Sequence, residues 1–404
     1  MHIDFERRCW AEVDLAVLGN NFSLIRKAAG SARVMAVVKA NAYGHDDIVA
    51  ARILGAAGAD WFAVSGLMEA LRLRRAEIVQ PILVLGYTSP LHAALLAGDN
   101  IQQAVFSLEY AQSLSQAAVQ AGLQVHAHFK LDTGMGRLGF NAKDNTENAV
   151  AELSAACALP GLVPEALFTH FSVADSTLPE DVAYTRAQFD LFCRVREALA
   201  DGGHCFPLAH CCNSAATIAY PEMHLDMVRP GIILYGCNPS ADVCLPGLQP
   251  AFQLKTVVTM VKEIRRGDSI SYGRIFTAPR DMRVATLAAG YADGYPRLMS
   301  GCGVVALHGK PAPLLGRVCM DQIIVDASDI PEACQGDTAT LFGTAPADSI
   351  DTIAAACGTV NYEILCNIGR RVQRMYTENG EEMSLFDYTD LSRDELKRYR
   401  AMYG

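Results

Sequence analysis

The first 245 or so residues alternate between two sequence patterns, and this alternation constrains the fold more than any other feature. Short runs of β-branched or apolar residues are followed by longer Ala- and Leu-rich stretches with helical periodicity. We predict strands at residues 34–39, 61–65, 81–85, 101–106, 124–131, 165–170, 206–212 and 224–229. The clearest helices are predicted at residues 15–28, 48–58, 109–122 and 181–200. Because parallel strands need crossover connections, these alternations predict an α/β (β/α)8 barrel, with a doubly wound open sheet as the alternative.

The pattern changes after Pro246, where short alternating or apolar segments are separated by Gly, Pro and Asp turns. These segments are residues 254–264, 283–290, 303–307, 322–325 and 338–342, and only residues 350–357 look helical. Such a pattern is typical of a mostly β domain. We therefore expect a barrel domain at 1–245, a mostly β domain at 246–376 and a charged, helical or loose extension at 377–404. The first ten or so residues are candidates to pack with the second domain.

The composition limits the classes of function. The net charge is −10, and 51% of the residues are hydrophobic, which fits a globular protein and argues against binding nucleic acid or an anionic membrane surface. We see no secretory signal and no apolar run long enough to cross a membrane. The 13 cysteines include no C-x-x-C pair, which favours reduced thiols and a cytoplasmic location.

Polar and cationic residues lie where the predicted barrel strands end. They are Lys39, Lys130, Asp132, His170, Asn213, Ser214 and Arg229. In a parallel barrel these ends meet on one face, where the active sites of this architecture lie. Several cations on such a face favour an anionic ligand. A desolvated lysine after an apolar strand can act as a nucleophile that forms a Schiff base, although its stem could instead simply line the barrel mouth.

Two further features leave alternatives open. The Ser214 hydroxyl together with the amide of Gly231 could form a phosphate site of the kind found in barrels, or Gly231 could simply mark a turn. His126 and His128 should lie on the same side of their strand as Lys130. An H-x-H pair near a lysine would also fit a metal-dependent hydrolase, but the additional ligands that such a site needs have no clear spacing here.

Longer strings along the chain carry a resemblance to a known family. They are WAEVDL at 10–15, VKANAYGH at 38–45, KLDTGMGRLG at 130–139, NSAA at 213–216, VRPGI at 228–232, SYG at 271–273, GYADGYPR at 290–297, GRVCMD at 316–321 and NYE at 361–363. In this order and at these distances they resemble the alanine racemases, which are barrel-type pyridoxal phosphate enzymes.

The resemblance implies roles for the central residues. Lys39 would hold pyridoxal 5'-phosphate covalently and act as one of two bases at the substrate α-carbon. Tyr272 would be the base on the opposite face, with His170 as its hydrogen-bond partner, because racemisation removes a proton on one side and delivers it on the other. Arg229 would face the pyridine nitrogen, to which an always-protonated arginine cannot give a proton.

The same resemblance assigns the surrounding positions. The predicted cofactor-binding residues, most of them at the phosphate, are Tyr43, Asn213, Ser214, Gly231, Ile232 and Tyr362. Arg137 and the backbone at Met320 match positions that hold the substrate carboxylate and the phenolic oxygen of the cofactor. Lys130 matches a lysine that is often carbamylated. Because Tyr272 and Met320 reach the active site of the other subunit in this family, the resemblance implies a homodimer with composite sites.

The implied activity is interconversion of L- and D-alanine, which supplies D-alanine for peptidoglycan precursors. A serine or broad-specificity racemase is the alternative within this class, and Tyr362 favours a small side chain. A non-catalytic pyridoxal phosphate carrier and a barrel decarboxylase are further alternatives. The chain departs from the family pattern at Asp46, where glycine is common, at residues 274–276 after the SYG string, and at the Cys211–Cys212 pair.

Overall fold

The computed structural model describes residues 7–378 and 381–386. The chain forms two compact units. The barrel unit comprises Val17–Ala42 and Asp46–Gln249, and the β unit comprises the residues up to Ala16, Tyr43–His45 and those from Pro250 onward. The first strand, β1 (Cys9–Asp14), belongs to the β unit. Within the described ranges, no helix combines the length and apolar character needed to span a bilayer.

Eight parallel strands form the barrel. In chain order they are β2 (Arg33–Val37), β3 (Trp61–Val64), β4 (Ile82–Val84), β5 (Ile101–Val105), β6 (Val125–Asp132), β8 (Leu162–Phe168), β9 (Leu208–His210) and β10 (Met227–Val228), and the two-residue β7 (Phe140–Asn141) pairs with β6. The ring order runs from β10 through β2 to β9. Between β9 and β10, the N–H of Asp226 donates to the carbonyl of Ala209 (3.2 Å) and that of Arg229 to Cys212 (2.9 Å), so the ring is nearly closed. The predicted barrel is confirmed.

Helices connect the barrel strands. They are α1 (Leu15–Ala29), α2 (Lys39–Tyr43), α3 (Asp47–Ala56), α4 (Leu67–Arg75), α5 (Ala93–Gly98), α6 (Leu108–Gln120), α7 (Thr146–Cys157), α8 (Pro179–Asp201) and α9 (Ser214–Ala219). The apolar residues of α1 that pack inward, Leu18, Phe22 and Ile25, recur at helical spacing, and all three are buried. This periodic burial is what made the helix predictable.

The first predicted strand is too long at its end. β2 stops at Val37, and Lys39 begins α2, a single turn of left-handed sense. Ala40, Asn41 and Ala42 have φ values of 53°, 56° and 52°. L-residues other than Asn rarely adopt this region, and each such residue costs about 1–3 kcal/mol unless its surroundings hold it. Lys39 is therefore delivered by a strained turn rather than by a strand terminus.

The β unit is built around one long strand. Its strands, besides β1, are β11 (Phe252–Ile264), β12 (Ser269–Ile270), β13 (Phe276–Thr277), β14 (Met282–Leu287), β15 (Val304–Leu307), β16 (Lys310–Pro313), β17 (Ile323–Asp326), β18 (Thr338–Phe342), β19 (Gln373–Glu378) and β20 (Glu381–Phe386). The first half of β11 lies between β1 and β18, and its second half pairs with β14. Alternate residues of the first half are buried, as expected for a strand with one covered face.

Two expectations for this part of the chain were wrong. Beside the predicted helix α10 (Ile350–Cys357) there is a second, α11 (Asn361–Cys366), which at six residues is too short for apolar periodicity to reveal. The extension from residue 377 is not helical or loose where it is described, because β19 and β20 pair antiparallel. The remaining residues of that extension lie outside the described ranges.

Candidate functional site

Four cationic side chains surround one histidine at the end of the barrel where the strands stop. Burial, followed by the positive charges of Arg229, Arg137, Lys130 and Lys39, holds the pKa of His170 well below its ordinary value. The imidazole is therefore neutral at physiological pH. The structure thus brings together three cations that the sequence placed at separate strand ends, and it adds a fourth, Arg137. Such a concentration of positive charge is suited to an anionic ligand.

Arg229 is one of the two buried cations in this group, with 4% of its surface exposed. Its Nη2 donates to the carbonyl oxygens of Thr169 (2.8 Å) and Cys211 (3.0 Å), and its Nη1 lies 2.7 Å from Nδ1 of His210. Burial lowers its pKa to about 10, so the guanidinium stays charged at neutral pH. Neutral acceptors alone orient the side chain in these contacts.

A chain of neutral side chains continues from Arg229 into the barrel interior. His210 Nε2 lies 3.0 Å from His128 Nδ1, and His128 Nε2 lies 2.7 Å from Gln102 Oε1. Because Arg229 can only donate, His210 must accept at Nδ1 and donate at Nε2, and His128 must do the same. Burial lowers the pKa of His128 to about 3. The chain therefore has one fixed direction of hydrogen bonding.

These contacts also bear on the metal-site alternative. His128 uses both ring nitrogens in the chain, and His126 Nδ1 lies 3.0 Å from Glu165. In the part of the chain that the structure describes, no group of three or more His, Cys, Asp and Glu side chains is arranged to hold a metal ion. The hydrolase hypothesis gains no support from this geometry.

A glycine-rich turn after β6 carries Arg137. The carboxylate of Asp132 accepts hydrogen bonds from the N–H groups of Gly134 (2.9 Å) and Gly136 (3.1 Å). A Cβ at Gly139, whose φ is +136°, would lie 2.5 Å from the nitrogen of Asp132. The KLDTGMGRLG string therefore encodes a tight turn that only glycine fits, and this turn presents the exposed Arg137.

Lys130 occupies the last part of β6 with 4% of its surface exposed. Burial, together with the charges of Arg137 and Arg229, lowers its pKa to about 8, and Asp132 only partly opposes this. A measurable fraction of uncharged amine is therefore present at neutral pH. Such an amine is chemically reactive towards electrophiles.

The predicted phosphate residues of the barrel unit also lie together. The N–H of Gly231 donates to Ser214 Oγ at 2.8 Å, and Ile232 begins the next 3₁₀ turn. Asn213 caps α9 through a 3.0 Å contact with the N–H of Ala216. The adjacent thiols of Cys211 and Cys212 both point to the carbonyl of Met223, so this departure from the family pattern is absorbed in the core.

In the β unit, Tyr272 lies at the tip of the β12–β13 hairpin with 71% of its surface exposed. Ser271 Oγ donates to the carbonyl of Arg317 (2.7 Å) and accepts from its N–H (3.1 Å). The N–H of Ala292 donates to the carbonyl of Met320 (3.0 Å). The SYG, GYADGYPR and GRVCMD strings, far apart in sequence, therefore form one surface.

The rings of the remaining two predicted residues, Tyr43 and Tyr362, have centroids 5.9 Å apart within the β unit. Burial raises the pKa of Tyr43, which keeps its hydroxyl protonated. Sequence reasoning gave no role to His210 or Gln102. His210 could have been noticed because it lies on a strand next to the NSAA string, but Gln102 carried no local signal.

Comparisons with known proteins agree with this arrangement. The family model "Alanine racemase, N-terminal domain" matches residues 13–239, and "Alanine racemase, C-terminal domain" matches residues 251–376. The alanine racemase of Desulforamulus reducens is 45% identical over 91% of this chain and 98% of its own length.

Solved structures give the same result. The structure of alanine racemase from Clostridium difficile 630 has a TM-score of 0.89 and 35% identity. The match covers 96% of this chain and all of that structure. That of alanine racemase from Bacillus anthracis, determined with bound L-Ala-P, covers 95% of this chain and is covered over 98%, with a TM-score of 0.87 and 35% identity.

Proposed function

Because the chain belongs to the alanine racemase family, we propose that it interconverts L- and D-alanine with pyridoxal 5'-phosphate held by Lys39. The observation that carries this proposal is the group of four cations around a neutral His170. Both the cofactor and the substrate carry an anionic group, a phosphate and a carboxylate respectively. A nucleophilic lysine among other cations is suited to binding both.

The donor set fits this cofactor. Ser214 and the amides of Gly231 and Ile232, with the hydroxyls of Tyr43 and Tyr362, would hold the phosphate, and Asn213 would support Ser214 by capping α9. Arg229 would face the pyridine nitrogen as a donor whose own orientation is set by His210. Because a guanidinium keeps its protons at neutral pH, this nitrogen would stay unprotonated.

When bound, the cofactor supplies the electron sink that makes the α-proton of alanine acidic. Lys39 Nζ takes up or returns that proton on one face of the α-carbon. Tyr272 Oη of the partner subunit does so on the opposite face. Because Arg229 Nη2 donates to His170 Nδ1 (3.5 Å), the neutral His170 carries its proton on Nε2 and can donate a hydrogen bond to the Tyr272 oxygen. Arg137, together with the backbone at Met320 of the partner subunit, would orient the carboxylate. Two bases of different type allow inversion without release of the substrate.

A homodimer is part of this proposal. Tyr272 and Met320 are exposed by 71% and 53%, although large apolar side chains usually avoid water. Two exposed apolar side chains extend the surface. Ile275 follows Tyr272 in the same hairpin, and the N–H of Tyr291 donates to the carbonyl of Cys319, next to Met320 (3.0 Å). A second copy of the chain would cover this surface and receive Tyr272 in its barrel, which makes each site composite.

The product D-alanine would supply peptidoglycan precursors, and the free state of all 13 cysteines fits the reducing cytoplasm as the location. A serine or broad-specificity racemase is the alternative. Tyr362 favours alanine because its ring, beside Tyr43, limits the room for a larger side chain. Contact changes of this kind shift specificity only modestly, so a direct comparison of alanine with serine decides between the two substrates.

The test is to incubate the purified protein with each L-amino acid in deuterium oxide and to follow loss of the α-proton and of optical rotation together. Alanine should exchange and racemise much faster than serine. Borohydride reduction followed by peptide mapping should place the cofactor on Lys39, and Lys39→Ala should lose the label. A label on another peptide, or no label, would reject the proposal.

A further inference from the structure

One helix of the barrel unit contacts the chain at the start of the left-handed turn and again just beyond it. Glu69 Oε1 accepts a hydrogen bond from the N–H of Ala40 at 2.7 Å, directly after Lys39. Four residues past the turn, Arg72 Nε donates to Asp47 Oδ1 at 2.7 Å, and the N–H of Asp47 donates back to Asn41 Oδ1 in the turn at 3.3 Å. Glu69 and Arg72 both belong to α4 and are three residues apart, so they lie on the same helix face.

Glu69 does more than cap its own helix. Its second oxygen, Oε2, accepts from the N–H groups of Ser65 (2.7 Å) and Gly66 (3.3 Å), which is the usual capping role of a glutamate at this position. That role needs only one carboxylate oxygen. The other oxygen accepts from the N–H of Ala40, so both carboxylate oxygens of Glu69 are hydrogen-bonded.

The N-cap of α3, Asp46, departs from the family pattern and lies beside Arg72. Asp46 has φ +83° at a position where the family commonly has glycine, a residue that adopts positive φ easily. Asp46 Oδ1 accepts from the N–H groups of Ile48 (2.9 Å) and Val49 (3.0 Å) and so caps α3. Its Oδ2 lies 3.6 Å from Arg72 Nη2. The side chains of Asp46 and Asp47 are 0% and 4% exposed, so their charges need this arginine.

We propose that Glu69 and Arg72 are positioning residues that hold the left-handed turn and thereby direct the Lys39 side chain towards the cofactor. This inference rests on the proposed role of Lys39. Neither residue needs to touch the cofactor or the substrate. Their effect follows because an amide nitrogen next to Lys39 is fixed by a charged acceptor, and Asp47, whose N–H binds the turn at Asn41, is fixed by a partly buried ion pair with Arg72.

The test compares Glu69→Gln, Arg72→Lys and Arg72→Leu in full-length protein loaded with pyridoxal 5'-phosphate. Glu69→Gln keeps the shape but turns an NH2 group towards one of the N–H donors. We expect it to speed cofactor loss on dilution and to lower kcat, each about tenfold, with a smaller change in KM. The midpoint of the pH titration followed at the visible absorption band of the cofactor should also shift. Arg72→Leu should act in the same way, and Arg72→Lys, which keeps the charge, should recover part of the loss.

Asn145→Ala is the matched control, because Asn145 is an exposed N-cap that accepts from the N–H of Asn148 at 3.0 Å. It should lower Tm about as much as Glu69→Gln but leave the band and the rate of cofactor loss unchanged. If folded Glu69→Gln and Arg72→Leu behave like this control, the inference is wrong. If the wild type shows no visible absorption band that disappears when Lys39 is replaced, the proposed function itself is wrong. The two failures are therefore distinct.

Discussion

Arg229 Nη1 lies 2.7 Å from Nδ1 of His210, a buried histidine whose pKa is lowered by burial and by the charge of Arg229. A buried arginine is usually neutralised by a carboxylate. Here its polar contacts are two neutral rings, His210 at 2.7 Å and His170 at 3.5 Å, and two carbonyl groups, which orient the guanidinium without cancelling its charge. The ring of Phe168 stacks on that of His210, with centroids 4.8 Å apart, and so restrains the tilt of the imidazole. Neutral acceptors thus set the orientation of the guanidinium, and its positive charge stays available to a ligand.

Replacing His210 should therefore misalign Arg229 without removing it. For His210→Leu we expect kcat/KM to fall about 10- to 100-fold, since small displacements near a reacting centre are costly. Steady-state kinetics and the visible spectrum of the loaded enzyme would measure this. His126→Gln is the control. His126 pairs with Glu165 and does not belong to the row of hydrogen bonds from Arg229 to Gln102, so this variant should retain activity. Equal kinetics for the two variants would contradict the assigned role of His210.

The pKa of His128, lowered to about 3 from an ordinary 6.5, predicts a loss of stability in acid. The unfolded chain takes up this proton before the folded chain does. Stability is therefore unaffected above the unfolded pKa and falls as the pH drops from 6.5 towards 3. Inside this window one such group lowers the free energy of unfolding by about 1.4 kcal/mol per pH unit.

Nitrogen-15 NMR of labelled histidine should detect His128 and His210 as neutral rings with the proton on Nε2 between about pH 7 and pH 5. His128→Gln removes the titrating ring but can still bridge His210 and Gln102. Its stability should therefore depend less steeply on pH than that of the wild type. A His128 signal that titrates near its ordinary pKa would show that the hydrogen bonds from Arg229 through His128 do not have the proposed fixed direction.

The barrel and its cationic mouth could be predicted because their signals are local. Apolar runs and helical periodicity identify the strands and helices, and the parallel order then brings the strand ends together. Lys39, Lys130 and Arg229 were found in this way, although the first and last lie just past their strands rather than on them.

The remaining features depend on contacts that are distant in sequence. The left-handed turn at Ala40 could not be predicted, since alanine has no preference for positive φ and the turn is held by Glu69, 29 residues away. The bond between His128 and His210 joins residues 82 positions apart. Strand β20 lies in a charged segment without alternation, and only its pairing with β19 makes it a strand.

Lys130 should react with carbon dioxide. Its amine, with a pKa of about 8, is partly uncharged at neutral pH. The uncharged amine can add to carbon dioxide and release one proton, which gives a carbamate. The resulting negative charge would face Arg137, whose positive charge otherwise opposes that of Lys130. We expect carbon-13 NMR of protein equilibrated with labelled bicarbonate to show one carbamate signal that Lys130→Arg abolishes.

Bicarbonate removal gives a second readout of the same group. Without bicarbonate the wild type should bind substrate more weakly, with a higher KM, because Arg137 loses its oriented partner. Lys130→Arg should be insensitive to bicarbonate. A KM that does not respond in the wild type, together with no labelled signal, would mean that Lys130 remains an amine.

Tyr272 gives the sharpest test of the two-base mechanism. In Tyr272→Phe the ring remains on the exposed hairpin tip, but the hydroxyl that would move the proton is gone. We expect racemisation to fall about 10²- to 10⁴-fold while the cofactor band is retained, which is the usual cost of losing a general acid–base group. Tyr87→Phe, a change at another exposed tyrosine (62%), is the matched control and should keep full activity.

The loss should also be asymmetric between the two enantiomers. With Tyr272 absent, Lys39 still serves one face of the α-carbon. One enantiomer of alanine should therefore continue to exchange its α-proton with deuterium oxide without inversion, and the other should stop exchanging. Separate proton NMR time courses for L- and D-alanine would measure this. Equal residual exchange for both enantiomers would mean that a single base, or a base other than Tyr272, serves both faces.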